Sequence, residues 1–284
     1  MKKIALSIIA TSILTFANTL TVEGFASPES TIANKNNLYV SNVGLELNPT
    51  TKDGDGFISK LDLDVNIQEL HFIDGLNAPK GMGLIGYTLY VADIDALKGF
   101  DLKTKKEVFN LEFKGVNFLN DITVKDANTL FISASDTSAI YEVDISNKSY
   151  KKLIDFTVAN GLFYEDDILY AAELGSSTKS MFDGKGKLYK IDLKNENKLT
   201  QLGTFEGVLD GVYKFGDKVY VSDWGKEKES GIIRVYDLKT KEESILKTKP
   251  FMGSADFWID EKSNKLYLPQ MIGNKVSVIN LSDL

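Results

Sequence analysis

The sequence predicts an all-β chain folded as a six-bladed β-propeller, and three observations carry that expectation. One short run recurs six times, as Leu38-Tyr39-Val40-Ser41, Leu89-Tyr90-Val91-Ala92, Leu130-Phe131-Ile132-Ser133, Leu169-Tyr170-Ala171-Ala172, Val219-Tyr220-Val221-Ser222 and Leu266-Tyr267-Leu268-Pro269. Aromatic and β-branched residues dominate these runs, as they do in strands. Several are followed by an alternating run that ends near an acidic residue, as in Phe57 to Asp62, Ala139 to Asp144, Lys187 to Asp192 and Ile233 to Asp237. No stretch of useful length repeats with the helical period. Spread over residues 18–284, six copies take about 45 residues each, the period of a four-stranded propeller blade.

No Pro- or Gly-rich linker interrupts the series, so these residues are read as one domain. A strand-like run precedes each repeat, such as Leu70 to Asp74 or Leu202 to Gly207. The last repeat reaches Leu284 after only three strands. The run Thr19 to Phe25 has the look of the missing outer strand. Blade six is therefore expected to be closed by the mature N-terminal strand, which pairs an edge that would otherwise stay open.

That closure bears on how the N-terminus is processed. Lys2 and Lys3 precede an apolar run from Ile4 to Phe16, the charged and apolar regions of a secretory signal. The run is short for a bilayer span, and no second apolar stretch follows. Cleavage after Ala17 or after Ala26 suits such a signal, but the later cut would discard the closing strand. Residues 1–17 are read as a signal peptide and residues 18–284 as the propeller, in a periplasmic or secreted protein with no membrane span after processing.

Composition removes several classes of function. The formal net charge is −7, and loss of Lys2 and Lys3 makes the mature chain more acidic. Nucleic acid needs a basic footprint, and anionic lipid needs basic clusters. There is no cysteine, which excludes disulfides, thiolate metal sites and a cysteine nucleophile. His71 is the sole histidine, so His-cluster zinc sites are absent and a Ser-His-Asp triad has little to build on.

One position per blade points at the axis. Counting back nine residues from each Leu/Val-Tyr run, or ten in two blades, lands on Glu29, Lys80, Asn120, Asn160, Asp210 and Asp256. Each lies where the chain enters the innermost strand of a blade, so six residues distant in sequence converge on the channel. Taken singly, Asn160-Gly161 and Asp210-Gly211 are ordinary turn dipeptides. As a set they are not, because a turn requires no Glu29 and no glycine follows Asn120. Glutamate, aspartate and two asparagines make a hard oxygen donor set suited to Ca2+, with Mg2+ or Mn2+ less specific and Zn2+ the poorest match.

At these residues the chain resembles the regucalcin/gluconolactonase and paraoxonase group of six-bladed propellers. Pro28-Glu29-Ser30-Thr31-Ile32 is similar to that group's segment with the blade-one metal glutamate. Leu119-Asn120-Asp121-Ile122 is similar to a paraoxonase segment with a calcium-binding asparagine. Ala159-Asn160-Gly161-Leu162 matches the next ligand segment, and Leu209-Asp210-Gly211-Val212 matches the gluconolactonase segment whose aspartate binds metal and doubles as a proposed base. The resemblance implies a divalent metal held by Glu29, Asn120, Asn160 and Asp210, and hydrolysis of lactones or related esters. Asp210 is then the candidate base and Asp256 a second one. Paraoxonases use histidines near the metal, whereas this chain has none at an axis position and blade two offers Lys80 instead. It is a candidate for binding a substrate carboxylate, stabilising an oxyanion or balancing the acids.

The leading expectation is an exported metal-dependent hydrolase, a monomer acting on a small lactone, ester or sugar-acid derivative. The alternative is a non-enzymatic propeller that binds a ligand or partner protein around a structural metal. Asp53-Gly54-Asp55-Gly56 resembles part of an EF-hand loop, but strand-like flanks make it a hairpin connection. His71 reads as packing, and Trp224 as a wall of the mouth pocket. The loops at 43–55, 174–186 and 225–231 are expected to rim that face.

Overall fold

The computed structural model describes residues 19–283. The signal peptide expected over residues 1–17, with its cleavage site after Ala17, lies outside the described residues. Strand β1 (Thr19–Glu23) comes first. Blade 1 follows with β2 (Pro28–Ala33), β3 (Asn37–Asn42), β4 (Gly56–Asp62) and β5 (Ile67–Leu76). Blade 2 holds β6 (Pro79–Ile85), β7 (Thr88–Asp93), β8 (Ala96–Asp101) and β9 (Glu107–Glu112). Blade 3 holds β10 (Leu119–Val124), β11 (Thr129–Ala134), β12 (Ala139–Asp144) and β13 (Ser149–Asp155). Blade 4 holds β14 (Ala159–Glu165), β15 (Ile168–Glu173), β16 (Gly186–Asp192) and β17 (Lys198–Gly207). Blade 5 holds β18 (Leu209–Phe215), β19 (Lys218–Asp223), β20 (Ile232–Asp237) and β21 (Glu243–Ile245). Blade 6 holds β22 (Trp258–Asp260), β23 (Lys265–Gln270) and β24 (Lys275–Asn280), and a single 3-10 turn, Leu281–Asp283, follows.

Each blade is a four-stranded antiparallel sheet, and β1 is the fourth strand of blade 6. Thr19 pairs with Ile279 and Glu23 with Lys275, so β24 has a partner along nearly its whole length. Among the described residues no helix is long and apolar enough to cross a membrane.

The recurring tripeptide of the second strands explains how the blades stack. Successive strand side chains point to opposite faces. Tyr39 packs with blade 2, while Leu38 and Val40 pack with blade 6. Tyr90 faces blade 3, and Leu89 and Val91 face blade 1. Phe131, Tyr170, Tyr220 and Tyr267 repeat the arrangement around the ring. Both faces of every blade are thus buried against neighbours, which is why these strands are apolar at successive positions rather than at alternate ones. The cluster of Phe25, Leu38, Val40, Tyr267 and Val278 joins blade 6 to blade 1 and closes the circle.

The acidic residue ending each third strand has a local role. Asp101 Oδ1 accepts the N–H groups of Lys103 and Thr104, and Asp237 Oδ1 those of Lys239 and Thr240. Asp62, Asp144, Asp192 and, in blade 6, Asn280 accept equivalent turn N–H bonds. These side chains fix the hairpin to the outer strand. The bonds hold the Asp101 and Asp237 carboxyls below the usual range.

Asp53 and Asp55 lie in the loop between β3 and β4, where Asp55 Oδ2 accepts the Leu45 N–H at 2.9 Å. His71 stacks on Phe57 with ring centroids 4.0 Å apart and pairs with Asp74 at 2.7 Å.

Candidate functional site at the channel mouth

A bulge at the start of each inner strand builds the site. In blade 3 Leu119 pairs with Ala134 and Ile122 with Ile132, so the inner strand has one residue more than its partner at Asn120-Asp121. Blades 2, 4 and 5 carry the same extra residue at Lys80-Gly81, Asn160-Gly161 and Asp210-Gly211. In blade 1 the register slips between Pro28 and Ser30, at Glu29. A bulge bends the strand and re-aims side chains. Glu29, Lys80, Asn120, Asn160 and Asp210 are all buried, and all line one cavity of about 290 Å³.

Blade 6 differs from the sequence count. Ser254 bridges to Gln270 and Trp258 pairs with Tyr267, so its counterpart to Glu29 is Ala255. Asp256 aligns with Ser30, Gly81, Asp121, Gly161 and Gly211, one residue deeper. It lines a second cavity of about 220 Å³, further along the inner strands, together with Asp121. Its Oδ2 accepts the Ser30 hydroxyl at 2.5 Å, and its N–H donates to the Glu29 carbonyl at 2.9 Å.

Hydrogen bonds set which way the amides face. Asn160 Nδ2 donates to the Leu209 carbonyl at 3.2 Å, and a carbonyl can only accept. Ser135 Oγ donates to the Ala159 carbonyl at 2.7 Å, so it accepts from Asn120 Nδ2 at 3.3 Å. Both nitrogens are therefore spent on neighbouring strands. Asp210 Oδ2 accepts the Trp224 indole N–H at 2.7 Å. What remains is Asn120 Oδ1, Asn160 Oδ1, Asp210 Oδ1 and Glu29 Oε2, four buried oxygens with no hydrogen-bond donor. Buried acceptors are normally satisfied. Four from four blades around one cavity are the pattern a hard cation completes.

The electrostatics agree. Burial, reinforced by the charges of Asp210 and Asp256, drives the Glu29 carboxyl well above its ordinary value. Burial also pushes Asp210 up to about 7, although the Trp224 bond opposes this. Asp256 is pushed up to about 7 and Asp121 well above the usual range, again chiefly by burial. Lys80 is driven down to about 8 by burial, against the pull of Glu29 and Asp93. Its Nζ donates to the carbonyls of Pro49 at 2.7 Å and Ala78 at 2.9 Å and lies 5.0 Å from the centre of the Phe118 ring. Among the described residues no three His, Cys, Asp or Glu side chains group to hold a metal. The mouth set is two carboxylates and two amides, so the amide oxygens complete it.

Close strand approach makes one glycine indispensable. A Cβ on Gly161 would lie 1.9 Å from the Asp210 carbonyl oxygen. We expect Gly161→Ala to cost about 1–3 kcal/mol, the usual penalty of overpacking, and to displace Asn160 from Asp210. Urea unfolding measures this, and an unchanged midpoint would refute it.

Sequence reasoning placed Trp224 at the pocket but missed its bond to Asp210. It also missed Phe118 and Phe182, which line the cavity with Trp224. The Phe118-Leu119 neighbourhood of Asn120 was the available signal for the first. Nothing local marks the second.

No protein-family model matches the chain. Antigen Lp49 of Leptospira interrogans is 24% identical over 177 residues, 60% of this chain and 37% of that protein. An uncharacterised protein of Sulfolobus acidocaldarius is 32% identical over 76 residues, 27% of this chain and 28% of that protein. The chain thus spans well under half the length of these relatives. Among solved structures, virginiamycin B lyase from Staphylococcus aureus superposes with a TM-score of 0.61 and 12% identity over 93% of this chain and 100% of that one. A chain of a nidogen/laminin complex gives 0.60 and 14% over 78% and 82%. At such identities the likeness is one of fold, and the class of protein is a six-bladed β-propeller.

Proposed function

We propose that this propeller is an exported metal-dependent hydrolase of lactones or related esters, with a divalent cation held at the channel mouth by Glu29, Asn120, Asn160 and Asp210. The observation that carries the proposal is the set of four buried, donorless oxygens. Their hardness favours Ca2+. A bound cation would polarise the substrate carbonyl and stabilise negative charge on its oxygen.

The chain's own residues supply the rest. Asp210 presents Oδ1 as acceptor for a proton of water, while Trp224 fixes the orientation of its carboxylate. Asp210 takes the base role in preference to Asp256 because it lines the mouth cavity and Asp256 does not. Lys80 is pinned by two carbonyls and places fixed positive charge beside the same floor. That charge offsets the acids and favours an oxyanion.

A panel of lactones and aryl esters, assayed with chelator and with added Ca2+, tests the proposal. Ca2+-dependent ring opening with uptake of water supports it. Ring opening by elimination, which leaves the product mass equal to that of the substrate, would replace it with a lyase. Metal binding without turnover would leave a binding propeller.

A further inference from the structure

The walls above the floor have a chemistry that the cation does not dictate. Apart from the five axis residues, the side chains that line the mouth cavity are apolar or aromatic. Leu47, Leu174, Phe182, Trp224 and Met271 form much of its wall. The polar wall groups nearby are already engaged, since the Pro49 carbonyl takes Lys80 and the Trp224 indole N–H goes to Asp210. A polyhydroxylated ring entering here would lose water from its hydroxyls and meet no partner on the walls.

Phe182 marks the entrance. It is 60% exposed and Leu47 is 49% exposed, so both bury apolar area only when something covers them. The Phe182 ring meets Trp224 edge-on, with centroids 6.3 Å apart at 61°. Its loop is braced, because Ser176 donates through both its N–H and its hydroxyl to the Asp183 carboxylate and Ser180 N–H bonds the Ser177 carbonyl. Phe182 is therefore presented by a tied loop, over the residue that orients Asp210.

We propose that Phe182 and Trp224 are specificity-determining residues that select ligands whose carbonyl-bearing ring or ester carries an apolar chain, against sugar lactones. The inference rests on the proposed site for the carbonyl but not on hydrolysis. Two non-hydrolysable probes separate the cases: the six-membered lactam carrying a pentyl chain, and D-gluconolactam. Calorimetric titration of the Ca2+-loaded protein should show the pentyl lactam bound at least about tenfold more tightly. Phe182→Ala should weaken the pentyl lactam by about five- to twentyfold, the scale of one partly buried ring, and should retain the Ca2+-induced rise in melting temperature. Leu47→Ala provides a second variant with a smaller effect of the same sign. Equal or tighter binding of gluconolactam, no binding of either probe, or insensitivity to both variants would overturn the inference. Tight pentyl-lactam binding with no lactone turnover would support it and remove the hydrolase proposal instead.

Discussion

Ca2+ added to chelated protein is expected to raise the melting temperature by roughly 8 °C or more. A ligand that binds only the folded state at a thousand times its dissociation constant contributes about 4 kcal/mol, and each kcal/mol moves a domain of this size by about 2 °C or somewhat more. Glu29→Gln keeps the shape of the side chain and removes its charge, so it should cut the gain by more than about half. The gain also depends on pH. Asp210 and Asp256 are raised to about 7 from an ordinary 3.8, so the cation-free folded state holds protons that the unfolded chain has released. Stability of the chelated protein should therefore fall as pH rises from 3.8 through about 7. Cation binding favours the ionised carboxylate at Asp210, so the Ca2+ gain should be larger at about pH 8 than at about pH 5. A melting curve indifferent to Ca2+ and chelator, with no metal by elemental analysis, would refute the cation site.

Asp210→Asn is expected to lower lactone turnover by roughly 10²–10⁴-fold, the usual loss with a general base. Because Asp210 also serves the cation, the comparison is made at saturating Ca2+ and beside Asp256→Asn. Asp256 lies one residue deeper and is bonded to Ser30, so its variant should keep the Ca2+ gain and lose less than about tenfold in rate. A large loss in Asp256→Asn with the Ca2+ gain intact would move the base to Asp256. Trp224→Phe, which keeps an aromatic wall and removes the indole N–H, should weaken Ca2+ binding while leaving the pentyl-lactam preference.

Much of this was legible in sequence for a definite reason. The Leu-Tyr-Val runs bury alternate side chains against two different blades, so each had to be apolar at every position. That requirement repeats six times and marks the blades. The Thr19–Glu23 strand was legible because three strands at the end of the chain leave a blade incomplete. Glu29, Lys80, Asn120, Asn160 and Asp210 were legible because each stands nine or ten residues before its run. Asp256 was misplaced by one position because the segment before β22 touches the sheets mainly through isolated bridges at Phe251 and Ser254, and a count without a continuous ladder slips.

Local order therefore determined the all-β class, the six repeats and the ring of axis residues, since alternation, turn chemistry and spacing are properties of adjacent residues. Tertiary structure alone decided which atoms of that ring are free. The bulges that turn the side chains inward, the Leu209 carbonyl and Ser135 hydroxyl that claim the asparagine nitrogens, and the Trp224 indole on Asp210 join groups distant along the chain and, for Asn160, on different blades. Their bonds leave four oxygens facing one cavity, and only packing in three dimensions brings those partners within reach.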